Sequence, residues 1–118
     1  LRIRSDSTYD IKKELSYTES TSIDEYIDDL DVLYVTRIQK ERFPDEEEYA
    51  KVKGIYVIGS DMVKKMKDDA IILHPLPRID EISTDVDNTK QAKYFEQAEY
   101  GKYTRAALLG LILNENGF

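Results

Sequence analysis

The residues best suited to chemistry fall in two short runs, Thr36-Arg37-Ile38-Gln39 and His74-Pro75-Leu76-Pro77-Arg78. In an extended chain Arg37 and Gln39 lie two apart and project to one side, with Ile38 turned the other way. A planar guanidinium that grips carboxylate through two parallel hydrogen bonds, next to an adjustable amide, is a carboxylate-binding pair. The competing reading is an ion pair between Arg37 and nearby Glu41, with Gln39 merely solvated.

The second run has two prolines around Leu76. Neither has an N–H, so the turn presents carbonyl oxygens with few local donors to occupy them. Such carbonyls can orient an amine or amide by accepting its hydrogens. A cis Leu76-Pro77 bond would aim them outward, but the sequence leaves the isomer open. His74, the one histidine of the chain, could serve as a general base; against that stands a hydrogen-bonded structural histidine at a strand end, the reading adopted. Arg78 could bind an anion or be neutralised by Asp80 and Glu81, and Asp80 could accept a hydrogen bond from a loop tyrosine.

Other chemistries lack support. Asp85, Asp87 and Asn88 have the acidic spacing of a calcium loop without its glycine and distal glutamate, so no metal is expected. The chain has no cysteine, which excludes a disulfide framework, a thiolate nucleophile and cysteine metal ligation. Phosphate-loop, dinucleotide and serine-hydrolase fingerprints are missing, and no cofactor is expected. With 17 basic against 24 acidic residues and a net charge of −7, neither nucleic acid nor an anionic membrane is an expected partner. The run Lys64, Lys65, Lys67 is read as a solvated face balanced by Asp68 and Asp69.

Both runs need elements to hold them. Asp31 to Thr36 is β-branched and aromatic and apolar on both faces, as in a central parallel strand covered by helices. Ile55 to Ile58 and Ala70 to Leu73 read as two further strands. Helical spacing links them over Tyr9 to Leu15, Ile23 to Leu30, Asp45 to Val52 and Met62 to Met66. Ser22 and Glu25 have the spacing of a capping box, and Pro44 before Asp45, Glu46, Glu47 and Glu48 places negative charge at a helix start. Tyr103 to Asn114 is apolar on nearly all sides and must pack against something else. Its apolar stretch, Ala106 to Leu113, would be about 12 Å long as a helix, too short for a bilayer. Gly117 fits a helix stop. The whole is one α/β domain over 1–118.

The runs DVLYVTRIQKERF (Asp31 to Phe43), ILHPLPRIDEI (Ile72 to Ile82) and TDVDNTKQAKYFEQAEYG (Thr84 to Gly101), in this order and before an apolar helix, resemble the C-terminal part of aspartate carbamoyltransferase catalytic chains. The resemblance implies a Rossmann-like aspartate-binding domain, a three-layer α/β/α sandwich with a mainly parallel sheet. It also implies condensation of carbamoyl phosphate with L-aspartate in pyrimidine synthesis, in the cytoplasm, by a homotrimer with or without regulatory chains or fused pathway enzymes. Arg37 and Gln39 would hold the side-chain carboxylate of aspartate, and Pro75 and Leu76 would give backbone carbonyls to the carbamoyl amide and the aspartate amine. Glu41 would orient Arg37. Lys40 to Tyr49 would form a closing loop, with Tyr49 able to reach Asp80, and Arg78 would support the site.

The carbamoyl phosphate domain with its Ser-Thr-Arg-Thr motif has no counterpart in these residues, nor has the arginine for the aspartate α-carboxylate. The domain is therefore expected to be incomplete at its N-terminus, its last helix (103–114) to pack on the missing half, and the segment to be inactive alone. A scaffold that kept the fold is the alternative. Ornithine carbamoyltransferase is the third choice, opposed by Pro75 after His74 and by the charge of Arg37.

Overall fold

A computed structural model describes residues 16–39, 43–52, 54 and 56–113. The predicted helix over Tyr9 to Leu15, the loop residues Lys40 and Glu41, Ile55, Asn114 and Gly117 lie outside the described residues.

Strand β1 (Val32–Tyr34) pairs in parallel with β2 (Ile71–Leu73), with Val32, Leu33 and Tyr34 opposite Ile71, Ile72 and Leu73. Parallel neighbours need a long crossover, and it carries helices α1 (Glu46–Val52) and α2 (Ser60–Val63). On its other side β2 meets Ala92, where Ile72 donates to the Gln91 carbonyl at 2.7 Å and accepts from Lys93 N–H at 3.0 Å. Ile72 is thus flanked on both sides and fully buried. A second parallel bridge joins Ile58 to Ile82. A 3₁₀ turn (Thr84–Asn88) then leads into the long helix α3 (Tyr94–Leu113). The core gathers Leu33, Val35, Ile58, Ile72, Ile82 and Tyr94 between these elements. The architecture is α/β with a parallel sheet.

Several expectations are corrected. The first strand is shorter than 31–36, and only one of its faces is packed among the described residues: Leu33 is buried while Val32 and Tyr34 are half exposed. Of the described residues of the segment Ile55 to Ile58, which are Tyr56, Val57 and Ile58, only Ile58 makes a bridge. Residues 23–30 form successive turns with i to i+3 bonds (Tyr26 N–H to Ile23 carbonyl, Asp29 N–H to Tyr26 carbonyl) instead of a helix. Asp28, Asp29 and Asp31 would set three negative charges at the negative end of a helix dipole there. Ser22 does not cap: Ser20 Oγ accepts the Ser22 N–H at 3.1 Å and lies 3.4 Å from Glu25 Oε2.

Helix α1 starts as expected, with Asp45 Oδ1 accepting the Glu48 N–H at 2.8 Å. The segment 62–66 is helical only to Val63, then turns to Met66. The lysines of this region pair with Asp61, Asp24, Asp29 and Asp31, and not with the adjacent Asp68 and Asp69. The closing helix begins nine residues earlier than Tyr103, at Tyr94. No helix among the described residues is long and apolar enough to cross a membrane.

Helix α2 is capped from a distance. Gly59 precedes it without a side chain, and Asp85 Oδ2 accepts the Ser60 N–H at 3.1 Å. Hydrogen bonds from the Ser60 and Ser83 side chains, then from the Ser60 N–H, hold the Asp85 carboxyl down to about 2. Its contribution is present above the ordinary carboxylate range and is lost as pH falls through about 2. An NMR titration of the Asp85 carboxyl carbon is expected to show this low midpoint, and Ser60→Ala is expected to raise it. A midpoint at the ordinary aspartate value in the wild type would show that the cap is not made.

Candidate functional site

The register of the two strands brings the predicted runs to one place. Val35 N–H donates to the Leu73 carbonyl at 2.9 Å, the last bond of the ladder. Arg37 follows two residues later on one chain, and His74 follows at once on the other. Neighbouring strands lie about 4.8 Å apart, so the turns leave the same C-terminal edge side by side, where open α/β sheets bind ligands. Arg37 and Gln39 are half-buried, as is Leu76, while Pro75 is exposed. The Thr36 carbonyl, directly before Arg37, accepts the Tyr56 hydroxyl at 2.7 Å. Burial, and then the charge of Glu81, push that phenol up.

The turn after β2 is wound around one buried pair. Leu76 N–H donates to His74 Nδ1 at 2.8 Å, and His74 Nε2 lies 2.7 Å from Glu81 Oε1. Glu81 Oε2 accepts the N–H groups of Ile79 and Asp80, each at 3.2 Å. His74 is 1% and Glu81 4% exposed, so water competes for neither. Burial raises the Glu81 carboxyl, but backbone hydrogen bonds and His74 outweigh it and hold the group below its ordinary value. The Leu76-Pro77 bond is cis, and Leu76 has φ 49°, in the left-handed region that costs a non-glycine residue about 1 to 3 kcal/mol. Helix α3 secures the strand end through Gln97, whose Oε1 accepts the His74 N–H at 2.9 Å and whose amide lies 3.4 Å from the Tyr34 hydroxyl.

Of the two readings left open for Arg78, an anion or neutralisation by Asp80 and Glu81, the structure shows neutralisation, but by Asp87. The Arg78 guanidinium takes Asp87 with two nitrogens, the longer contact being 2.6 Å, and donates to the Tyr94 hydroxyl at 3.2 Å. It also lies 5.5 Å above the Tyr94 ring and 5.9 Å above that of Phe95. Asp87 accepts the Tyr94 hydroxyl in turn. Arg78 is therefore an anchor that ties the proline turn to α3. Tyr49 and Asp80 line one cleft with Ile38, Gly54, Tyr56, Ile79 and Glu81. Tyr49 stacks at a tilt on Phe43, 5.7 Å away, and makes no hydrogen bond to Asp80.

Sequence reasoning missed Tyr56, Gln97, Asp87 and Tyr94. A signal existed for two of them: Tyr94 and Gln97 are three apart at the start of α3, on one helical face.

Residues 4–112 match the family described as Aspartate/ornithine carbamoyltransferase, Asp/Orn binding domain. The chain belongs to this family. It is 83% identical over 118 residues to the aspartate carbamoyltransferase catalytic subunit of Nitrosopumilus maritimus, covering 100% of this chain and 38% of that one. The crystallised catalytic subunit of M. jannaschii aspartate transcarbamoylase superposes with a TM-score of 0.71 at 53% identity, over 90% of this chain and 34% of the other. The Trypanosoma cruzi aspartate transcarbamoylase in complex with carbamoyl phosphate and aspartate gives 0.66 at 41% identity, over 73% and 28%. The chain thus spans about 38% of the curated relatives, the amino-acid-binding domain of the carbamoyltransferase family.

Proposed function

We propose that this domain supplies the L-aspartate half-site of an aspartate carbamoyltransferase. The carrying observation is the parallel register of β1 and β2, by which the chain running on to Arg37 and Gln39 and the chain running on to Pro75 and Leu76 leave the sheet at one edge. Arg37 and Gln39 take the side-chain carboxylate of aspartate, and Glu41 orients Arg37. The Pro75 and Leu76 carbonyls accept hydrogens of the carbamoyl amide and the aspartate amine and point the nitrogen lone pair at the carbamoyl carbon. The new C–N bond forms as the C–O bond to phosphate breaks; phosphate leaves, and the amine loses a proton. No metal or cofactor is required.

A second domain would bind carbamoyl phosphate. Supporting that is α3, where Leu108, Leu109, Leu111, Ile112 and Leu113 are all more than half exposed, a patch that soluble monomers rarely leave open. We assign helix residues 103–114 to contact with that domain. The loop from Lys40 to Tyr49, with Tyr49 beside Asp80 in one cleft, closes over the substrates. The complete chain works in the cytoplasm as a homotrimer, with regulatory chains or fused pathway enzymes as its further partners.

The full-length chain is expected to form N-carbamoyl-L-aspartate from carbamoyl phosphate and aspartate, and to leave ornithine untouched because Arg37 repels its ammonium. The 118-residue segment alone is expected to be inactive. Absence of product from the assembled full-length protein, or equal use of ornithine, would refute the proposal.

A further inference from the structure

We propose that His74 and Glu81 are positioning residues for carbamoyl transfer: the uncharged imidazole, as its Nε2–H tautomer, fixes the peptide plane that aims the Pro75 carbonyl at the reacting nitrogens of the substrates. The inference rests on the role given to that carbonyl above. The tautomer follows from hydrogen-bond accounting. Leu76 N–H points at His74 Nδ1 from 2.8 Å, so this nitrogen holds a lone pair and no proton. The ring hydrogen is then on Nε2 and is given to Glu81 Oε1 at 2.7 Å.

The Leu76 N–H and the Pro75 carbonyl belong to one planar peptide group and point in opposite directions. Drawing the N–H inward to a histidine only 1% exposed therefore turns the carbonyl outward, away from the buried ring. Glu81 completes the device. Its Oε1 receives the ring hydrogen, and its Oε2 receives the N–H groups of Ile79 and Asp80. Pro75 and Pro77 have no N–H, so the donors at 76, 79 and 80 all end on one side-chain pair. The same pair holds Leu76 at φ 49°, a conformation retained only where the surroundings impose it. A doubly protonated ring would offer Leu76 no acceptor and release the plane.

Two substitutions in the full-length chain divide the functions of the ring. His74→Asn places an amide oxygen where Nδ1 stands and keeps the acceptor for Leu76. His74→Gln places an amide nitrogen near Nε2, keeps the bond to Glu81 and removes that acceptor. His74→Gln is expected to lower kcat at least about tenfold with KM for carbamoyl phosphate nearly unchanged, and His74→Asn to restore most of kcat. Wild-type kcat in His74→Gln, or losses in both variants that only track the folded fraction, would overturn the proposal.

A measurement on the wild type needs no variant to be active. The ¹⁵N shifts of His74 at pH 8 are expected to show a bare Nδ1 and a protonated Nε2. An Nδ1–H tautomer or an imidazolium there would overturn the proposal. Failure of the wild type to carbamoylate aspartate would instead remove the reading it rests on.

Discussion

Arg37→Ala in the full-length chain is expected to weaken binding of a bisubstrate dicarboxylate by about 2 to 5 kcal/mol, because a substrate carboxylate is left desolvated without its cation. In kcat/KM for aspartate that is roughly 30-fold to several thousand-fold. Calorimetry on wild type and variant gives the first figure, and steady-state kinetics the second. Gln39→Ala removes a neutral donor to a charged acceptor, and about 1.5 to 3 kcal/mol is expected. Arg37→Lys is not a safe replacement, since an ammonium cannot make the two parallel bonds of a guanidinium. Unchanged affinity in Arg37→Ala would leave only the scaffold reading, in which the fold persists without a carboxylate clamp. The partial burial of Arg37 and the bond from Tyr56 to the preceding carbonyl oppose that outcome, since both hold the grip before any ligand arrives.

The two runs were legible in the sequence because their positions depend on local rules. A β-branched apolar run makes a strand, and the residues after it lie at the sheet edge whatever the rest of the chain does. That logic located Arg37, Gln39, Pro75 and Leu76 without any knowledge of neighbours, and Asp45 before three glutamates marked the start of α1 in the same way. It failed wherever a distant partner decides. Ile23 to Leu30 has helical spacing, yet acidic residues at its end and no regular ladder leave it as turns. Asp87 reads as a weak metal ligand, yet an arginine nine residues earlier claims it. Asp85 reads likewise, yet it caps α2 from 25 residues away. The cap on Ser60 and the anchor on Arg78 are tertiary contacts, and spacing encodes neither. The exposure of α3 was readable for the opposite reason: a helix apolar all round cannot hide every side within so small a domain.

The anchor gives the second large effect, on stability. Arg78 and Asp87 side chains are only 15% and 25% exposed, and Arg78→Leu would leave the Asp87 carboxylate and the Tyr94 hydroxyl without their cation. About 2 to 3 kcal/mol of domain stability is expected to be lost, at or just below the lower end of the range for breaking a fully buried pair, because some water reaches these groups. The pH dependence has a definite sign at each end. The Arg78 guanidinium holds Asp87 below its ordinary value, so this contribution is present above the normal carboxylate range and disappears as pH falls through the depressed one. Burial, and then the Asp87 carboxylate, push the Tyr94 phenol up to about 12. Below pH 10 the phenol is neutral whether folded or not, and its contribution is complete. Between about 10 and 12 the unfolded chain ionises first, and stability is expected to fall by at most about 1.4 kcal/mol per pH unit. Tyr94→Phe should make that alkaline limb shallower, the raised Tyr56 phenol still titrating, and should keep the part of the acid limb that Arg78 supplies while losing the part due to the Tyr94 hydroxyl. Amide exchange at Ile72 and Lys93, which bond to each other's segment beside Tyr94, reads the local stability in the full-length chain. A limb that survives Tyr94→Phe unchanged would mean that another group titrates there and that the Arg78 anchor does not depend on the phenol.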